Sequence, residues 1–78
     1  MDSKYVKFLE DGIGTMKANL AKVREDFAKH TEAINTYRKL DMDTAILQMF
    51  VDTDKRQINT YESVIPQIEE KLAEARRK

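Results

Sequence analysis

Arg38-Lys39-Leu40-Asp41-Met42-Asp43-Thr44-Ala45 is the stretch that decides the fold. It lies between two long apolar repeats and carries the chemistry of a chain reversal. Arg38 and Lys39 supply positive charge, which a helix C-terminus favours. Short acceptors follow, with Asp43 the preferred N-cap for the next helix. The reversal therefore reads as about 40–43, with helix 1 over about 3–39 and helix 2 over about 44–76. Ser3 or Asp2 would cap the first helix, and Lys71, Arg76, Arg77 and Lys78 end the second with positive charge.

Upstream of the reversal, Val6, Leu9, Ile13, Met16, Leu20, Val23, Phe27, His30, Ile34 and Tyr37 recur at alternating spacings of 3 and 4. Downstream, Leu47, Val51, Asp54, Ile58, Tyr61, Ile65, Ile68, Leu72 and Ala75 do the same. Each repeat has one polar member, His30 in the first and Asp54 in the second. Two sustained heptad patterns of this kind point to helices packed along a/d seams. Parallel association of two open chains would satisfy the same heptads, and the short capped reversal favours the hairpin. The expected fold is all-α, an antiparallel two-helix hairpin of coiled-coil type, with residues 1–78 as a single domain.

The register follows from the pattern. With Val6 at a and Leu9 at d, pairs such as Val6/Ala75, Leu9/Leu72, Ile13/Ile68 and Ile34/Leu47 have residue numbers that sum to 81. Tyr37 would then face Thr44, and the seam-bearing arms would run ~45 Å at 1.5 Å per residue. Gly12 and Gly14 fall inside the first helix and Pro66 inside the second. Each glycine costs about 1 kcal/mol against alanine, and an interior proline about 3. Two readings are open: a matched bend shared by both arms, or fraying with helix starts near Thr15 and Pro66.

Composition narrows the function classes. The chain has 14 basic and 14 acidic residues, without the basic excess usual in nucleic-acid binders. The first 40 residues carry 8 basic and 6 acidic side chains, and the remainder 6 and 8. These opposite imbalances lie side by side in a hairpin. There is no cysteine, so neither a disulfide nor a thiolate metal site is available. No apolar run approaches the ~20 residues of a membrane span. The expected setting is the cytoplasm, with no membrane partner.

Candidate chemistry is sparse. His30 and Asp54 fall in adjacent layers, and such a pair can serve a nucleophile or a general base. The serines, Ser3 and Ser63, are remote in sequence, so the pair reads as a polar contact that fixes register. Asp52-Thr53-Asp54 opens like a calcium loop, but Gln57 stands where glycine is needed and Ser63 where glutamate is needed. No catalytic, cofactor or metal-ligating residues are expected, and no enzyme.

The residues left over are apolar ones off the seam. Met42, Ile46, Met49 and Phe50 cluster just past the reversal, and Tyr5 and Phe8 form a smaller group at the open end. A helix that is apolar nearly all round needs burial on more than one side. Covering by a second copy would make a homodimeric four-helix bundle. Covering by another protein would make the chain a small regulator, inhibitor or adaptor. A structural or chaperone-like helical oligomer is the alternative. A third reading, contact with nucleic acid through Lys17, Lys22, Arg24 and Lys29, is disfavoured by the balanced charge.

Overall fold

A computed structural model of the protein describes residues 3–77. Asp2 and Lys78, named above as cap and terminal charge, lie outside this range. Two helices, α1 (Ser3–Lys39) and α2 (Ala45–Arg77), pack against each other as an antiparallel hairpin. The described residues measure 60 × 15 × 13 Å, a rod built on one interhelical seam. Its arms are longer than the expected 45 Å because both helices continue past the ends of the apolar repeats.

Every buried residue among those described stands on the heptad seam. Leu9, Ile13, Leu20 and Ile34 come from α1, and Val51, Asp54, Ile65 and Leu72 from α2. Leu9, Ile13 and Leu72 form a cluster near the open end, with Val6, Met16, Ile68 and Ala75 packed against it. Tyr37, the last α1 seam residue, is already at the margin of exposure, because the seam closes at the reversal.

Fraying from Thr15 or Pro66 does not occur, since α1 runs unbroken through Gly12 and Gly14 and α2 through Pro66. The Leu9–Ile13–Leu72 cluster accounts for this. Apolar burial on either side of the weak positions outweighs a local propensity penalty of about 1 kcal/mol per glycine. The glycines are also not making room for the opposite arm. A Cβ added at Gly12 or Gly14 would meet no atom within 4 Å, so neither residue is required by close approach.

Charge reinforces the pairing on one flank. Arg76 donates to Glu10 at 2.6 Å, Lys17 pairs with Glu69 at 3.2 Å, and Arg24 with Glu62 at 3.3 Å. All six residues occupy heptad position e, so the pairs recur at seven-residue intervals along one edge of the seam. Their side chains are about half exposed, so each contributes under about 1 kcal/mol. Their effect is on register, because a slip would bring like charges opposite each other. The paired residue numbers sum to more than 81 because helical side chains lean toward their own N-termini.

Candidate interaction surface

The reversal is built by a tight C-terminal cap followed by a side-chain N-cap. Met42 N–H donates to Tyr37 C=O at 2.9 Å and Asp41 N–H to Arg38 C=O at 3.2 Å, the paired bonds of a Schellman motif. The motif needs a left-handed residue, and Asp41 supplies it at φ 57° where glycine is commoner. Aspartate tolerates this region better than most side chains. Ala45 N–H then donates to Asp43 Oδ1 at 2.8 Å, and Thr44 C=O accepts the first helical bond from Gln48 at 2.9 Å. Two turns of backbone are thus satisfied with little help from apolar contacts.

The apolar side chains here remain outside. Leu40, Met42, Ile46, Met49 and Phe50 are all exposed, Ile46 at 67% and Met49 at 66%. Tyr37, Asp43, Ala45, Ile46, Leu47 and Phe50 line a shallow groove beside the turn. Phe50 joins this surface to the seam, its ring 5.2 Å from that of His30 and tilted by 34°. At the open end, Phe8 is 72% exposed and Tyr5 about half exposed. Ser63, the internal serine, is exposed on α2 and accepts at its backbone carbonyl from Gln67 Nε2.

His30 and Asp54 meet directly. His30 Nδ1–H donates to Asp54 Oδ2 at 2.6 Å, since an ionised carboxylate only accepts. Asp54 is buried at 7% exposure, whereas the His30 side chain keeps about a third of its surface in solvent. The heptad register sets the two residues in adjacent layers, and the N-terminal lean of both side chains closes the gap between them. No buried side-chain polar atom among the described residues lacks a partner. With Asp54 enclosed between helices and held by His30, the pair has the geometry of a structural contact. Asp52-Thr53-Asp54 lies within continuous helix, which cannot wrap an ion as a calcium loop does. Among the described residues, no group of three or more potential ligands gathers to hold a metal.

No family model, curated protein or solved structure matches this chain. The surface is therefore read from its own geometry. Of the four cations considered for nucleic acid, Lys17 and Arg24 belong to the interhelical ion pairs and Lys29 pairs with Glu25 at 3.3 Å. Lys17 and Arg24 stand at e, Lys22 and Lys29 at c, on opposite flanks of α1, so they do not form one stripe. Among the described residues, no helix is long and apolar enough to cross a membrane.

The e-position ladder is the feature that the apolar pattern did not reveal. Its signal was present, as opposite charges recurring every seven residues on both arms. Reading it requires knowing which flanks of the two helices adjoin.

Proposed function

We propose that this chain is a non-catalytic protein–protein interaction module of the cytoplasm, an antiparallel coiled-coil hairpin acting as a small regulator, inhibitor or adaptor. The observation that carries the reading is the cluster Leu40, Met42, Ile46, Met49 and Phe50, exposed together at the capped reversal. The hairpin is satisfied without burying it: both helix ends at the reversal are capped by polar bonds, and these side chains lie beside the seam rather than on it. Flexible methionines beside an aromatic ring suit an adaptable apolar docking surface. The engagement of His30 with Asp54 favours a binding role over catalysis, because neither group is poised beside a nucleophile.

A structural role as a helical oligomer is the second reading, favoured by Tyr5 and Phe8, which repeat the exposed apolar character at the other end of the rod.

The test uses the double variant Ile46→Ser/Phe50→Ser. Both side chains are substantially exposed, so helicity by circular dichroism is expected to stay within about 10% of the parent. Proteins retained by the immobilised parent chain, quantified by mass spectrometry, are expected to be lost from the variant. Equal retention by both chains would overturn the tip as the docking surface.

A further inference from the structure

The chain has four methionines and no cysteine, so thioethers are its only sulfur and its readiest acceptors of oxygen from a peroxide. Three of the four lie among the described residues, and the fold separates them. Met16 is half-buried in the seam, packed against the Leu9–Ile13–Leu72 cluster. Met42 and Met49 stand outside at the tip, 49% and 66% exposed. Methionine oxidation follows exposure, so the tip and the seam differ in susceptibility.

The consequences differ as well. Met42 joins the reversal through its backbone N–H to Tyr37 C=O, a bond in which its side chain takes no part. Met49 is at heptad position f, on the arc of α2 turned away from α1. Neither side chain closes the seam, so changing either leaves the bonds of the hairpin in place. Met49 does adjoin Ile46, three residues before it on the same helix, and Ile46 adjoins Phe50 four residues on. Two of the five exposed apolar side chains of the tip are thus thioethers.

We propose that the tip is a redox switch: hydrogen peroxide converts Met42 and Met49 to sulfoxides and turns off the apolar docking surface, while the hairpin stays folded. In each step the thioether sulfur attacks one peroxide oxygen. An S–O bond forms and the O–O bond breaks. The proton on the transferred oxygen passes to the other, which leaves as water. Sulfur gives up two electrons and the peroxide takes them. The sulfoxide is polar, unlike the flexible apolar side chain it replaces. A sulfoxide reductase reverses the change, the oxygen leaving as water and the thiols of the reductant as a disulfide. The inference rests on the reading of the tip as a docking surface and names the chemistry that regulates it.

The test treats the full chain with hydrogen peroxide and reads its exposed apolar surface by retention on a phenyl resin. By peptide mass spectrometry, Met42 and Met49 are expected to oxidise about 10-fold faster than Met16. Helicity is expected to hold. Retention is expected to fall by at least about half of the interval between the parent and Ile46→Ser/Phe50→Ser. Met42→Leu/Met49→Leu conserves apolar volume and keeps Met1 and Met16, and its retention is expected not to respond to peroxide.

Oxidation of Met16 at the same rate, or loss of helicity, would overturn the separation of switch from fold. Unchanged retention once both sulfoxides have formed would overturn the switch and leave the tip a docking surface. A response that persists in Met42→Leu/Met49→Leu would place the change elsewhere and overturn the switch as well. If Ile46→Ser/Phe50→Ser elutes with the unoxidised parent, the reading of the tip itself fails, and the inference with it.

Discussion

The level of Leu9, Ile13 and Leu72 and the level of His30 and Asp54 solve the same problem with different chemistry. At the first, three buried aliphatic side chains and four flanking ones close the seam. At the second, a 2.6 Å hydrogen bond does so, flanked by a tilted aromatic ring. Apolar packing is non-directional and tolerates small shifts in register. A buried carboxylate tolerates none, because losing its donor leaves a desolvated charge. The open end therefore supplies stability, and the His30–Asp54 level supplies uniqueness of pairing together with the ion-pair ladder.

The largest effect should come from weakening the apolar level. Leu72→Ala removes a buried side chain from a small core and should cost about 2–5 kcal/mol, measured by urea unfolding. In a 78-residue chain with one seam, that is enough to unfold much of the population. A cost under about 1 kcal/mol would mean that the open end is not where stability resides.

His30→Ala should cost less, about 1–3 kcal/mol, because Asp54 is left buried without its donor. The double variant His30→Leu/Asp54→Leu sharpens the comparison. Replacing both partners by aliphatic groups should recover the loss and leave the hairpin at least as stable as the parent. If His30→Ala is neutral, the polar level fixes nothing.

The smallest effect should be a gain. Gly14→Ala places a methyl group in open space within an intact helix, so stability should rise by about 1 kcal/mol. A loss would show that the backbone freedom of glycine is used at this position, as a bend shared by both arms would require.

Much of the hairpin was legible because heptad spacing, capping acceptors and terminal charges are local properties. Val6 to Tyr37 and Leu47 to Ala75 announce two helices with one apolar stripe each, and Asp43 announces where the second begins. The positions Met42, Ile46, Met49 and Phe50 stood out for the same reason, as apolar residues off the stripe. The left-handed Asp41 was not legible, since the usual glycine signal is missing at that position.

The sequence by itself determined the helical periodicity, the place of the reversal and the surplus of apolar surface beside it. Each follows from neighbours within a few residues along the chain. Only the tertiary structure decided that α1 and α2 continue through Gly12, Gly14 and Pro66, because burial against the opposite arm outweighs local propensity there. The same holds for the direct His30–Asp54 bond and for the ion pairs that line one edge of the seam. These depend on the lean of side chains and on which edges of the two helices adjoin, and both are set by packing across the seam.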